Sequence, residues 1–317
     1  MNRRTPRVTT QLLSRRAAAL KRHLPEARDG DHHGVHQARV ASRRLREALP
    51  VLTADVKGTK SKKALGKIRR LTQALGTVRE LDVTLQLLDE LTARDTLPRQ
   101  SLEAVRSHVV SERDRRRAVM LKRLAHVNLD KLDRRLLTAA AVLEASDSQA
   151  WRDALGARLL RRSKALTRAI ADAGQLYAPE PLHQVRIAAK KLRYAIELAN
   201  DAGVKSAAQP LRAVKRVQDA LGRLHDLQVL QSAISTVQAA PDRAHSLPDG
   251  GLQIVSRAVE EECRHLHARY VASMPRLADV VKTVRTIVVP QLAEVRPAPP
   301  LKMALKVRPV RAAAARR

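Results

Sequence analysis

Aromatic side chains are almost missing from this sequence of 317 residues. It contains no Phe, one Trp and three Tyr, so few rings are present on which the bases of a single-stranded nucleic acid can stack. The charge is nevertheless extreme, because 61 Lys and Arg stand against 31 Asp and Glu and give a formal net charge of +30. Such a charge indicates nucleic acid, an acidic membrane surface or polyphosphate as partner, and the scarcity of rings favours a polyanion without bases.

Cysteine is equally scarce, and Cys263 is its one occurrence. A single thiol excludes an intramolecular disulfide and a zinc or iron–sulfur site with several Cys ligands. The sequence also lacks a Gly-rich phosphate loop and a Ser/His/Asp set, so we expect neither an enzyme nor a bound cofactor. No apolar run is long enough for a signal peptide or a membrane span, and we therefore expect a cytoplasmic protein.

One eleven-residue stretch occurs twice. HQARVASRRLR, from His36 to Arg46, returns as HQVRIAAKKLR from His183 to Arg193, with six of the eleven positions identical. At about 100° per residue, each stretch forms a helix with a cationic face and an opposite face of Ala, Val, Ile and Leu. The cationic face contains no acid. Burial of the apolar face is therefore expected to hold the cations close together before any ligand arrives.

A second pair of motifs follows the first pair at nearly the same offset. LGTVRELDV, from Leu75 to Val83, corresponds to LGRLHDLQV from Leu221 to Val229. Two motifs in the same order indicate an internal duplication, with a first repeat over residues 5–145 and a second over 151–294. Because the hydrophobic period is helical throughout, we predict an all-α fold in which two helical bundles pack as one pseudo-symmetric body.

Prolines and polar clusters set the predicted helix ends in the first half. We predict a first helix over residues 9–23, which ends before Pro25, and we predict Asp31 as the N-cap of the first motif helix. A glycine- and lysine-rich break at 57–58 precedes one continuous helix over residues 62–94.

Two further helices are predicted near the end of the second half, over residues 252–273 and 275–292, after a polar loop at 241–251. Residues 295–317 contain seven Lys and Arg, several prolines and no acid. We expect them to form a disordered basic tail, either merely solvated or adding non-specific attraction to the same polyanion.

Together these motifs resemble the CHAD domain family, the "conserved histidine α-helical domain". The resemblance rests on the two His-x-x-Arg-x-x-x-(Arg/Lys)-x-Leu-Arg helices, each followed by a (Arg/Lys)-Arg…Leu-Gly-x-x-(Arg/His)-(Glu/Asp)-Leu segment, and it covers about residues 5–294. It implies two four-helix bundles related by a pseudo-two-fold axis, with a basic groove or pore between them. It also implies binding of inorganic polyphosphate and, in some bacterial members, association with polyhydroxyalkanoate storage granules.

The resemblance, carried over position by position, assigns a polyphosphate-binding surface to both repeats. In the first repeat it comprises His36, Arg39, Arg43, Arg44, Arg46, Arg69 and Arg70. In the second repeat it comprises His183, Arg186, Lys190, Lys191, Arg193, Lys215 and Arg216, and Tyr194 joins them as a hydrogen-bond donor on the basic face. The repeats differ at two aligned positions: Arg79 of the first corresponds to His225 of the second, and Asp82 corresponds to Gln228. The two halves therefore need not bind the ligand equally.

Physical chemistry favours the same ligand. A flexible phosphate chain needs cations at repeated spacing, which rows at i, i+3/4 and i+7 of a helix supply, and Arg can hold two phosphate oxygens at once. The alternatives are a phasin-like protein on polyhydroxyalkanoate granules and a non-specific nucleic-acid binder. A metal site at His32, His33 and His36 is not expected, because arginines share that helix face and no carboxylate stands at helical spacing.

Overall fold

The fold is built from helices alone in the part of the chain that the structure describes. The structure is a computed structural model, and it describes residues 7–56, 59–145, 149–240 and 250–294. Its helices are α1 (Val8–Arg28), α2 (His32–Leu52), α3 (Thr59–Ala74), α4 (Gly76–Ala93), α5 (Arg99–Ala125), α6 (Leu129–Ala145), α7 (Ala150–Ala173), α8 (Pro179–Asp201), α9 (Ala208–Gln238), α10 (Gly251–Thr283) and α11 (Val289–Glu294). A 3-10 turn precedes α9, and a π-helical turn, Val284–Val288, joins α10 to α11.

The two repeated stretches lie on α2 and α8, and each buries its apolar face as predicted. Leu45 and Leu192, at corresponding positions, are fully buried, as are Ala38 and Val185. Burial of one such Leu stabilises the fold by about 1.5–3 kcal/mol, which holds the opposite, cationic face of each helix in a defined direction. The all-α prediction and both two-faced helices are confirmed.

The start of α2 also follows the sequence. The Asp31 carboxylate accepts a hydrogen bond from the Gly34 amide at 2.6 Å, as expected of an N-cap. At α8, Pro179 occupies the first helical turn, where its missing N–H costs no intrahelical bond.

Pro25 does not end α1, so the predicted end at residue 23 was wrong. The helix continues to Arg28, and the Pro25 carbonyl accepts a hydrogen bond from the Asp29 amide at 3.1 Å. Proline removes one N–H from the helix, whereas Leu24 and Ala27 are both buried in the core on either side of it. Packing of the last turn therefore outweighs the local signal to stop.

Two other helix ends differ from the prediction. The segment predicted as one helix over 62–94 is divided into α3 and α4 at Leu75, whose ψ of −13° departs from the helical value of about −42°. Conversely, α10 runs through Pro275 to Thr283, and the irregularity lies in the π-helical turn that follows. Leu277, just beyond the proline, is fully buried and keeps that part of α10 against the core.

One continuous apolar core joins the two halves of the chain. The helix α2 packs against α1 and α3 of its own half and against α7 and α8 of the other, while α9 contacts α4 and α5 as well as α8 and α10. None of the described helices is both long and apolar enough to cross a membrane. The duplication, its pseudo-symmetry and the repeat boundaries stay predictions. The predicted break at 57–58, most of the loop at 241–251 and the tail at 295–317 lie outside the described residues.

Candidate functional site

The cationic faces of α2 and α8 meet around one cavity. This central cavity has a volume of about 420 Å³ and also receives side chains from α4 and α9. Its lining contains seven Lys and Arg, two His and three carboxylates. The lining residues are Arg39, Arg43, Arg46, Glu47, Arg79, Glu80, Val83, His183, Arg186, Ile187, Lys190, Lys191, Tyr194, His225 and Asp226.

The cations at the centre of this cavity form no close ion pair in the described part of the chain. Within the described ranges, no carboxylate oxygen lies within 4.0 Å of a side-chain nitrogen of Arg39, Arg43, Arg186 or Lys190. Other arginines of the chain do form such ion pairs, for example Arg44 with Glu197 and Arg113 with Asp82. The Nε atoms of Arg39 and Arg186 are buried and have no hydrogen-bond partner in the same ranges. These two arginines occupy corresponding positions of the repeated stretch. A buried donor without a partner is costly, so each of these two arginines favours an added acceptor.

Crowding and burial change the protonation of this cluster. Burial and the charges of Arg186, Arg43 and Arg39 lower the pKa of Lys190 to about 6. Burial and the Arg43 charge lower the pKa of Arg39 to about 10, and burial also lowers the pKa of Arg186. Desolvation and like charges both disfavour the cationic form, while the charge of Glu80 opposes the shift at Arg39 and that of Asp226 opposes it at Arg186.

The two histidines of the cavity lie against each other. The Nδ1 atoms of His183 and His225 are 3.3 Å apart, and their ring centroids are 4.8 Å apart. Burial and the Arg186 charge lower the pKa of both rings, that of His225 to about 3. Both imidazoles are therefore neutral near pH 7. One ring donates its Nδ1–H to the Nδ1 of the other, and the accepting ring holds its own proton on Nε2, which it can offer to an anion.

One of the three carboxylates of the lining, that of Glu47, is held by arginines of α7. Glu47 accepts hydrogen bonds from Arg158 at its backbone oxygen and carboxylate, at 2.7 and 3.3 Å, and Arg162 lies 3.6 Å away. Its charge is thus balanced by α7. Burial raises the pKa of Asp226, although the neighbouring Arg186 and Arg79 charges oppose that shift.

Three residues of the predicted surface, Arg44, His36 and Arg193, are not among the residues that line the cavity. Arg44 is exposed and pairs with Glu197 at 2.6 Å, and His36 lies beside Arg79 and Arg39, whose charges add to burial in lowering its pKa. The Arg193 guanidinium lies 5.0 Å from the centre of the Tyr194 ring. Tyr194 itself is buried in the cavity wall.

The four basic residues predicted on the following helices do not line the central cavity. Arg69 and Arg70 on α3 and Lys215 and Arg216 on α9 are all exposed, and Arg70 lines a separate groove between α3 and α5. Their assignment as ligands stays a prediction that the packing of this cavity does not support.

Arg79 and His225 line the cavity although neither was among the predicted ligands. They occupy corresponding positions of the second pair of motifs, and that correspondence is the signal in the sequence that identifies them. An Arg79 guanidinium nitrogen lies 3.1 Å from His32 Nε2, which in turn lies 3.7 Å from the Asp82 carboxylate. No group of three or more His, Cys, Asp or Glu able to hold a metal occurs in the described part of the chain.

Comparisons with known proteins give one family by name. The model of the CHAD domain matches residues 11–235. A crystal structure of the CHAD domain from the plant Ricinus communis is 22% identical, with a TM-score of 0.56 over 88% of this chain and 91% of that chain. PptA from Streptomyces chartreusis is 15% identical, with a TM-score of 0.60 over 88% of this chain and 100% of that chain. No curated protein matches the sequence.

Proposed function

This chain belongs to the CHAD domain family, and on that premise we propose that it binds inorganic polyphosphate in the central cavity without catalysing a reaction on it. The family's association with polyphosphate supports the choice of ligand. The observation that carries the proposal is the convergence of Arg39 and Arg43 with Arg186 and Lys190 around one cavity, with no carboxylate within 4.0 Å of them in the described ranges.

The chemistry of the lining suits a phosphate chain better than a compact anion. Cations from α2 face cations from α8, so successive phosphates of one chain can contact both helices. Arginines grip phosphate oxygens in bidentate fashion, and Lys190 adds a point charge. The cavity offers one aromatic side chain, Tyr194, whose hydroxyl can donate to oxygen, so bases would find little to stack on.

The proposal is tested by removing the two arginines whose Nε atoms lack partners. We expect the variant Arg39→Ala/Arg186→Ala to lose affinity for tripolyphosphate roughly 10²–10⁴-fold, because each charge-assisted hydrogen bond contributes about 1.5–3 kcal/mol. Titration calorimetry measures the Kd, and circular dichroism checks that helicity is unchanged. The matched control Arg161→Ala/Lys164→Ala removes the same charge from the exposed surface of α7. Equal affinities of the two variants would reject the site.

Nucleic-acid binding and granule association remain alternative predictions. Competition between long-chain polyphosphate and duplex DNA at matched phosphate concentration distinguishes nucleic-acid binding from the proposed function. We expect polyphosphate to displace the DNA, since this cavity suits a ligand without bases. Granule co-sedimentation that survives digestion of polyphosphate would favour the second alternative over polyphosphate binding alone.

A further inference from the structure

A second group of cations lies outside the central cavity, between α3 and the end of α5. We call it the α3–α5 groove. It has a volume of about 570 Å³, and its lining shares no residue with that of the central cavity. The lining residues are Lys67, Arg70, Gln73, Ala74, Lys122, Arg123, His126 and Val127.

The cations of the α3–α5 groove have no acidic neighbours in the described ranges. No carboxylate appears in the lining, and none lies within 4.0 Å of Lys67, Arg70, Lys122 or Arg123, whereas Arg106, further back on α5, is paired with acids. Two residues of α6 extend the positive surface. Besides burial, the charges of Arg135 and Lys131 on α6, together with that of Arg70, lower the pKa of Lys67.

The helix α5 connects this groove to the neighbourhood of the central cavity. Near its middle, Arg113 donates to the Asp82 carboxylate at 2.7 Å, and Asp82 lies beside the His32 ring that contacts the cavity residue Arg79. From Arg113 to Arg123 the helix rises about 15 Å. The groove is therefore separate from the cavity, and the rise along α5 between Arg113 and Arg123 is a length that an extended polyanion can span.

We propose that the α3–α5 groove binds a second segment of the same polyphosphate chain that occupies the central cavity. This proposal rests on the proposed function. A base-free chain is favoured over nucleic acid because Ala74 and Val127 form the apolar part of the lining and no Phe, Tyr or Trp is present there, within the described residues, for a base to stack on. The lysine and arginine side chains on α3 and α5 supply the repeated charges that such a chain requires.

Two connected sites on one ligand make affinity depend on chain length. Once one segment of a long chain is held in the cavity, binding of the next segment is intramolecular and benefits from a high effective concentration. A short chain occupies the cavity alone and gains nothing from the groove. The groove thus selects for long polyphosphate.

The test uses the full chain and the variant Arg70→Ala/Lys122→Ala/Arg123→Ala. All three side chains are exposed and lack ion pairs in the described ranges, so their removal leaves the fold intact. We expect the Kd for long-chain polyphosphate to rise roughly 100-fold, while the Kd for tripolyphosphate stays within experimental error. The matched control Arg161→Ala/Lys164→Ala/Arg212→Ala removes three exposed charges elsewhere.

The outcomes separate this proposal from the proposed function. If the groove variant and the matched control lose the same small amount of long-chain affinity, the groove is not a site. If the groove variant loses affinity for duplex DNA but not for long polyphosphate, the groove serves nucleic acid and the proposal is wrong. The proposed function at the central cavity is rejected by a different result, namely tripolyphosphate binding that is unchanged in Arg39→Ala/Arg186→Ala. That result does not depend on the outcome for the groove variant.

Discussion

Lys190 shows at the scale of one residue how burial and function oppose each other. It lies among three arginines in the wall of the cavity, and its pKa of about 6 means that much of it is uncharged near pH 7 in the absence of an anion. A bound phosphate chain would favour the ammonium form and raise that pKa. Binding is therefore coupled to uptake of a proton.

The first prediction is a pH dependence that originates at Lys190. The bound form has the higher pKa, so affinity for tripolyphosphate rises as the pH falls from 8 towards 6 and levels off below about 6, where Lys190 is already charged without ligand. Calorimetry in buffers of different ionisation enthalpy measures the proton uptake. The variant Lys190→Met should bind more weakly at pH 6 and show a flatter profile, although His183 also contributes. An unchanged slope in this variant would contradict the assignment.

The same shift predicts a stability effect with the opposite pH trend. Between about pH 6 and 10.5 the unfolded chain holds more protons on Lys190 than the folded chain, so the free energy of unfolding rises with pH across this window. Replacing Lys190 by Met removes the burial cost and is expected to stabilise the fold at pH 7 by roughly 0.5–3 kcal/mol. Urea denaturation at pH 6, 7 and 9 measures the gain in the free energy of unfolding. The same data show whether the variant has lost the pH dependence. Lys164→Met, at an exposed position, serves as the control.

At the scale of one helix, α2 depends on its N-cap for the direction of its cationic face. The Asp31 side chain satisfies the Gly34 amide, and its negative charge also complements the positive end of the helix. We expect Asp31→Ala to lower the free energy of unfolding by about 0.5–2 kcal/mol in urea denaturation. Asp31→Asn keeps an oxygen acceptor and should lose only a fraction of that amount. Equal losses in the two variants would show that the hydrogen bond contributes nothing.

Prediction from the sequence succeeded where a local rule and the tertiary structure agree. The stripe of Leu45 on α2 and that of Leu192 on α8 are periodic, and the core buries both. It failed at Pro25 and Pro275, because burial of neighbouring leucines keeps the helix intact despite the local signal.

For the candidate site, the repeated stretch identified Arg39 and Arg186, which the structure brings together at the cavity. The place of Arg70 was not predictable from its spacing, since its distance from that cavity depends on how α3 packs between α2 and α5. Arg79 and His225 enter the cavity because α4 and α9 meet beside the motif helices, and their correspondence in the second pair of motifs was the signal in the sequence for both.

At the scale of the whole molecule, an excess of positive charge strains the folded state and a polyanion relieves that strain. With a formal net charge of +30, self-repulsion opposes compaction, and a ligand that binds only the folded chain stabilises it by mass action. We expect long-chain polyphosphate at about 100 times its Kd to add about 2.7 kcal/mol to the free energy of unfolding. Thermal melts should show a higher Tm that declines steeply with added salt, since binding releases counterions.

Two comparisons make this whole-molecule prediction specific. The variant Arg39→Ala/Arg186→Ala should show a much smaller rise in Tm at the same polyphosphate concentration, whereas Arg161→Ala/Lys164→Ala should match the parent chain. A rise in Tm that is equal in all three proteins would mean that the stabilisation comes from the net charge and not from the cavity.

The unusual setting of Lys190 also gives it a distinct reactivity. An uncharged primary amine is a nucleophile, whereas an ammonium ion is not, and most lysines on the surface of a protein are ammonium ions at neutral pH. We therefore expect Lys190, at the cavity wall with a pKa lowered to about 6 by burial and the neighbouring arginines, to react with a small acylating reagent faster than the exposed Lys164 on α7. A phosphate chain in contact with it would both shield and protonate the amine, so the extent of acylation at this one nitrogen reports how much of the protein is occupied.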